Sequence, residues 1–410
     1  MAELFNVLTV QQARGALASH LPAWQSEETV PLLQGLNRIL TRDITAQEDV
    51  PGFDRSTMDG YALRARDTFG ASESLPSYVD VTGEVLMGQE ALGPIGSGQA
   101  WAIPTGGMLP PGADAVVMVE YTEELDERTI GVTKPVAPGD NLVRRGEDVT
   151  KGSVVLRAGH RLRPQDLGLL SAVGVTEVAV TKPVQVGILS TGNELIDPEK
   201  PTSPGKVRDI NSYALYGQVL EAGGSPTLYG IIEDNFAALQ QAMLTALEEN
   251  EMVLISGGSS VGARDVTAKV IETLGNPGLL FHGIAIRPGK PSIGAVVEGK
   301  VVFGLPGHPV SAMVVFDLLA RPIVRGTLHR VTDRGYPLRA AITRNIHSAT
   351  GREDFVRVAL RRLDDGTIVA DPVLGKSGLI STMVKADGVA HIPLGKEGVE
   401  AGELLDVWLF

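Results

Sequence analysis

Cysteine is absent from the 410-residue chain, which removes disulfides, thiolate zinc sites, iron–sulfur ligation and a cysteine nucleophile at once. The absence fits a reducing compartment. Positive charge is scarce as well: 36 Lys and Arg stand against 49 Asp and Glu, for a formal net charge of −13. Non-specific nucleic-acid binding draws on a basic surplus, so nucleic acid is not an expected partner. A small anionic ligand still fits if a local site overrides the global field. No apolar run approaches the roughly 18 residues of a membrane span, and Met1-Ala2-Glu3-Leu4-Phe5-Asn6 has no signal-peptide character. No membrane partner and a cytoplasmic location are therefore expected. Catalytic signatures are missing too. The seven histidines are scattered, without His-Glu-x-x-His, and no Gly-x-Ser-x-Gly elbow occurs. A P-loop is excluded because Gly283 and Gly289 enclose five residues and Pro291 stands in place of the hydroxyl residue.

What is present is core material and turn chemistry. Apolar residues make 43% of the chain and charged residues 21%, with 48 Gly and 25 Pro, the profile of a globular protein rich in turns. The length suggests two to four domains. Residues 1–50 read as helical, because Val10, Ala13, Leu17 and then Leu32, Leu36, Leu40 recur at helical spacing. From Val50-Pro51-Gly52 to about Val143, short β-prone runs (78–81, 115–119, 129–133) alternate with Pro/Gly turns, as in a small β-module. Residues 145–182 return to turns, a short helix over 164–173 and an extended segment. The β-module therefore reads as an insertion into the N-terminal region.

From Val184 onward, the apolar runs 184–189, 227–232, 252–255, 279–284 and 301–305 alternate with helical stretches such as 235–249. Such alternation argues for a doubly wound sheet with helices on both faces. Residues 333–410 are again β-like. The expected divisions are 1–48 together with 145–182, 49–144, 183–328 and 329–410.

In open α/β sheets, ligands bind beyond the carboxyl ends of the strands. Each strand-end turn here carries polar chemistry. Ser190-Thr191-Gly192-Asn193-Glu194 follows the first strand, and Ile232-Glu233-Asp234-Asn235 the second. Ser256-Gly257-Gly258-Ser259-Ser260-Val261-Gly262-Ala263-Arg264-Asp265 follows the third, and Gly304-Leu305-Pro306-Gly307-His308-Pro309 the last. Gly257 and Gly258 permit close backbone approach, and the helix start beyond them offers free N–H groups to an anion. Ser256, Ser259 and Ser260 add hydroxyls; the plain alternative is a Gly-rich turn with a serine cap. Glu194, Asp234 and Asp265 each have the alternative of being helix caps, but together they suggest Mg²⁺ bridging a phosphate. Arg287-Pro288-Gly289-Lys290-Pro291 supplies two cations on a stiffened loop.

On these residues the chain resembles the molybdopterin molybdenumtransferase family (MoeA of bacteria, the E-domain of gephyrin in animals). The resemblance runs through Asp49-Val50-Pro51-Gly52-Phe53-Asp54-Arg55-Ser56-Thr57-Met58-Asp59-Gly60-Tyr61-Ala62, Arg144-Arg145-Gly146-Glu147-Asp148, the four strand-end turns and the 287–291 loop. Gly351-Arg352-Glu353-Asp354-Phe355 matches less closely. It implies a multidomain α/β plus β fold. Its parts are an N-terminal helical domain, an inserted β-module, a three-layer α/β/α molybdopterin-binding domain and a C-terminal β-barrel-like domain. It further implies a homodimer with a shared cleft, in which adenylylated molybdopterin and molybdate react with Mg²⁺ to give molybdenum cofactor and AMP. Glu194, Asp234 and Asp265 then fall on the acidic, metal-holding positions, and Pro306 and Pro309 on loop prolines. Asp59 and Thr105 fall on polar residues reaching the cleft from the other subunit. Thr191 and the Gly257–Ser260 turn contact the substrate, while Arg287, Lys290, Ser260, Ser311 and Arg352 are candidates for holding molybdate. A molybdopterin adenylyltransferase and apo-molybdoenzymes or their chaperones are implied protein partners. Arg287 stands where many relatives carry Lys, and His308 where Asn is commoner. An adenylyltransferase, another nucleotide-processing enzyme of this fold, or a non-catalytic scaffold of the gephyrin type remain alternative readings.

Overall fold

The computed structural model of the chain describes residues 7–21, 26–257, 261–328 and 336–410, with the backbone alone for 261–265. The chain forms two compact units, Met1–Gln25 with Lys182–Phe410, and Ser26–Thr181.

The first unit is built on a six-stranded sheet in the order Ser225–Ile232, Gln185–Thr191, Met252–Gly257, Lys300–Leu305, Ile293–Val297, Pro277–His282. The first four strands are parallel. The last two add an antiparallel edge, where the sequence suggested only an α/β alternation and left Ile293–Val297 unread. Covered on both faces, the central strands need apolar residues at every position rather than at alternate ones. Ile188, Leu254 and Phe303 pack on one face and Leu189, Val253 and Val302 on the other, as the two-residue strand period requires. Helices Val10–Ala18, Asn211–Ala222 and Pro309–Val315 cover the first face, and Phe236–Glu249 and Val261–Glu272 the second. Each fully buried Leu, Ile or Phe contributes about 1.5–3 kcal/mol, so these two clusters hold the layers together.

Beyond the sheet, strands Leu338–Ile342, Glu353–Arg362, Ile368–Pro372, Gly388–Ile392 and Leu404–Leu409 pair in a ring that closes through Glu353–Arg362 and Gly388–Ile392. Ala340, Val358, Ala370, Ala390 and Val407 fill this barrel. The two-residue strand Ile286–Arg287 adds to its edge beside Glu353 and Asp354.

The second unit carries a six-stranded sheet in the order Ala115–Met118, Gly60–Leu63, Gln99–Ile103, Ser77–Glu84, Thr129–Val132, Thr122–Glu124. Its flanking segments pair with each other, Glu27–Pro31 against Glu177–Thr181 and Ile44–Thr45 against Val154–Leu156. Two expectations change. Residues 32–40 are not an α-helix: Leu32–Gly35 is a single 3-10 turn following a strand, and Leu36 is exposed. Pro31 and Gly35 flank too short a stretch for a stable helix, and the strand pairing of Glu27–Pro31 prevails. The helix Val10–Ala18, capped by Thr9 with Gln12, belongs to the first unit. This differs from the expected grouping of residues 1–48 with 145–182, because Val10, Ala13 and Leu17 fill a seat on the α/β sheet. Among the described residues no helix is long and apolar enough to cross a membrane.

Helix Pro164–Ala172 begins on an ionic knot. Asp166 accepts from the Arg163 backbone N–H at 2.8 Å and its Nε and Nη2 at 2.9 and 3.0 Å, and lies 2.7 Å from His160 Nε2. The Arg163 hydrogen bonds, with help from His160, hold the Asp166 carboxyl well below the usual carboxylate range despite its burial. A carboxylate depressed in the folded state stabilises above its ordinary pKa of about 4, and that stabilisation is lost as pH falls through the folded value. Asp166→Asn is therefore expected to cost about 2 kcal/mol at pH 7. In urea unfolding the gap to the parent protein should close under acid; a gap unchanged from pH 7 into strong acid contradicts this account.

Candidate functional site

The four parallel strands end on one rim, where register pairs Thr191 with Ile232 and with Gly257, and Ser256 with Leu305. Asp234 follows one of these strands and accepts a 2.5 Å hydrogen bond from the Thr191 hydroxyl. It does not cap the next helix; Asn235 does, accepting from Ala238 N at 2.8 Å. Glu194 caps no helix either. After Gln185–Thr191 the chain forms a small parallel pair, Leu195–Ile196 with Val207–Arg208, before helix Asn211–Ala222 starts. The helix-cap alternative thus fails for both carboxylates, and a short parallel strand pair stands between the first strand and its helix.

A cleft of about 250 Å³ is lined here by Thr191, Glu194, Ser256, Gly257, Pro309 and, unforeseen from the sequence, Asp209 and Asn211. Gly257 is required by space: a Cβ at its φ of +156° would lie 2.1 Å from the Thr191 carbonyl oxygen. Gly258, Ser259 and Ser260 lie outside the described residues, as does the side chain of Asp265, whose backbone is in helix Val261–Glu272.

A second, larger groove of about 1250 Å³ runs along the barrel edge and contains Arg287, Lys290, Pro306, Ser311 and Arg352. Ser311 is buried in the first turn of helix Pro309–Val315, whereas Arg287 and Lys290 are exposed. The same groove holds the cations Arg344, Arg357 and Lys376, and also His347, none of which a local motif in the sequence marked. The two cavities share Gly307 and His308 in their walls. His308, the residue before helix Pro309–Val315, has Nδ1 2.8 Å from Ser377 Oγ, tying the strand-end turn to the barrel.

Asp59 and Thr105 belong to the other unit, on turns beside strands Gly60–Leu63 and Gln99–Ile103. The Thr105 backbone N–H donates to Asp59 Oδ1 at 2.6 Å. That bond first, and the Thr105 hydroxyl second, hold the exposed Asp59 carboxyl below its ordinary value.

Could the acidic rim take a metal? Among the described residues no three His, Asp or Glu are assembled as a ready cluster. Mg²⁺ does not demand one: it keeps several waters and binds through one or two carboxylates plus substrate phosphate oxygens. Glu194 and Asp234 are oxygen donors of the right hardness at one strand-end rim, so the donor set fits.

Comparison with known proteins follows the same order along the chain. Family models match for the "MoeA N-terminal region (domain I and II)" over residues 8–174, a "Probable molybdopterin binding domain" over 187–326 and the "MoeA C-terminal region (domain IV)" over 339–410. The chain is similar to the molybdopterin molybdenumtransferase of Bacillus subtilis, at 36% identity over 397 residues, 95% of this chain and 91% of that protein. It is also similar to the molybdopterin molybdenumtransferase of Haemophilus influenzae, at 35% identity, covering 98% of each. The crystal structure of a molybdopterin biosynthesis moeA protein from Pyrococcus horikoshii superposes with a TM-score of 0.85 at 34% identity, over 99% of this chain and 100% of that one.

Proposed function

Because the chain belongs to the molybdopterin molybdenumtransferase family of molybdenum cofactor biosynthesis, we propose that it inserts molybdate into adenylylated molybdopterin in a Mg²⁺-dependent reaction that releases AMP. The observation that carries this reading is the meeting, at Gly307 and His308, of an acidic strand-end rim with a basic groove. An adenylylated pterin and an oxyanion need both kinds of surface side by side.

Glu194 and Asp234, with Asp265, would hold Mg²⁺, and the Thr191 hydroxyl fixes the orientation of Asp234. When bound, the ion supplies neutralisation of pyrophosphate charge. Gly257 lets the backbone approach the phosphates. Lys290 and Arg287 offer positive charge to oxygen atoms that become more negative as the P–O bond to AMP breaks. Arg287, Lys290, Ser311 and Arg352 receive the molybdate dianion; the pterin's own dithiolene takes the molybdenum as displaced oxo oxygens leave, protonated, as water, and water supplies the oxygen that replaces the broken P–O bond to AMP. The absence of cysteine is consistent with that division of labour. No carboxylate is assigned as a general base.

Purified protein with adenylylated molybdopterin, molybdate and Mg²⁺ should release AMP, and removal of the divalent ion by chelation should stop release. Consumption of ATP with free molybdopterin would instead favour an adenylyltransferase, and inertness in both assays a scaffold.

Asp59 and Thr105 are proposed to complete the cleft of a second copy in a homodimer. An equal mixture of Asp59→Asn and Asp265→Asn chains, allowed to exchange, should then regain about a quarter of parental activity. Half the dimers are mixed, and each mixed dimer has one intact cleft. No recovery in verified mixed dimers rejects the shared cleft.

A further inference from the structure

Resting on the anion-binding role proposed for Arg287 and Arg352, we propose that Asp354 is the positioning residue of the groove. It sets these two guanidinium groups beside Arg357, which backbone carbonyls hold in place, around a tetrahedral dianion. Asp354 is only 2% exposed. Its backbone is fixed on both sides, by rungs to Arg287 and to Ile392. Oδ1 accepts from Arg352 Nε at 2.9 Å, and Oδ2 lies 3.6 Å from Arg287 Nη1. One carboxylate thus orients arginines from two separate stretches of chain, one on the α/β loop and one on the barrel.

Arg357 completes the set. It is 8% exposed and lines the same groove. It donates to two backbone carbonyls, Val373 at 3.4 Å and Gly375 at 2.8 Å. No carboxylate pairs with it among the described residues. A buried cation without a counter-charge is costly unless a ligand supplies one. Burial, and then the positive charge of Arg287, hold the Arg357 pKa below its ordinary value, so the two guanidinium groups feel each other. Arg287, Arg352 and Arg357, with Lys290, Arg344 and Lys376 of the same groove, outweigh the Asp354 carboxylate, so the site is positive toward a dianion such as molybdate. Guanidinium forks suit planar pairs of oxyanion oxygens better than ammonium groups do. The groove is far larger than an oxyanion, so charge and donor direction, not shape, must locate the ligand. An aspartate serving only to tie the loop to the barrel would need Arg287 alone; Arg352 and the unpaired Arg357 are surplus to that task.

The full-length protein is titrated with molybdate alone by calorimetry, and KM is measured separately for molybdate and for adenylylated molybdopterin. Asp354→Asn preserves size and is expected to weaken molybdate binding at least tenfold. KM for molybdate should rise in proportion and KM for the adenylylated pterin stay within about twofold. Asp354→Glu should recover part of the loss. If Asp354→Asn does not fold, Arg357→Met is read in its place, with the same tenfold expectation and Arg357→Lys intermediate. Unchanged molybdate affinity in the folded variant overturns the proposal. Equal losses for both substrates overturn it too, since they mark a purely structural role. Molybdate binding without turnover in the parent protein would refute the proposed reaction while leaving this site standing.

Discussion

Asp234→Asn is expected to slow AMP release about a thousandfold, roughly 4 kcal/mol of transition-state stabilisation, while leaving thermal unfolding nearly unchanged. Asparagine keeps the size of the side chain and an acceptor oxygen for the Thr191 hydroxyl, which now donates to Asp234 at 2.5 Å. Helix Phe236–Glu249 keeps its cap, because Asn235 performs that task. What the substitution removes is the negative charge, so the loss should fall on the ion-dependent step and be partly relieved by excess Mg²⁺. Steady-state AMP release against Mg²⁺ concentration is the measurement. Turnover within threefold of the parent at all concentrations would take Asp234 out of the site.

Gly257→Ala should be as damaging, by a different route. The added Cβ would stand 2.1 Å from the Thr191 carbonyl oxygen and 2.6 Å from Thr191 Cγ2, at a φ of +156°. Backbone cannot yield as a flexible side-chain tip does. The ends of strands Gln185–Thr191 and Met252–Gly257 must move apart, and the Thr191–Asp234 pair moves with them. A cost of about 3 kcal/mol in unfolding free energy and near-complete loss of AMP release are expected. Gly217→Ala is the control. Gly217 lies within helix Asn211–Ala222 with nothing within 4 Å of its Cβ position, so alanine there should stabilise by up to about 1 kcal/mol. Equal behaviour of the two variants would contradict the close-contact account.

The parallel strands were legible because strands buried on both faces must be apolar at successive positions, as in Met252-Val253-Leu254-Ile255. Ile293–Val297 escaped notice because it belongs to an antiparallel edge with no helix before it. Leu32, Leu36 and Leu40 mimic a helical stripe, yet pairing between Glu27–Pro31 and the distant Glu177–Thr181 decides that region. The strand-end polar residues stood out because turns advertise Gly, carboxylate and hydroxyl groups locally. The basic groove was legible only in part: Arg287 and Lys290 stand out on their proline-stiffened loop and Arg352 enters through the resemblance, whereas Arg344, Arg357 and Lys376 are unremarkable in their own segments, and only a barrel edge paired with residues 286–287 brings them together. Asp209 and Asn211 lie outside every strand-end turn singled out in the sequence, and only the fold brings them to the cleft wall.

Manganese tests the centre of the account most directly. With Mn²⁺ in place of Mg²⁺ and AMP as the phosphate-bearing ligand, electron paramagnetic resonance should report one tightly held ion per chain. Its affinity should fall at least tenfold in both Glu194→Gln and Asp234→Asn. Identical Mn²⁺ binding by the parent and both variants would mean that this corner of the α/β sheet holds no cation, and that the chemistry is done elsewhere.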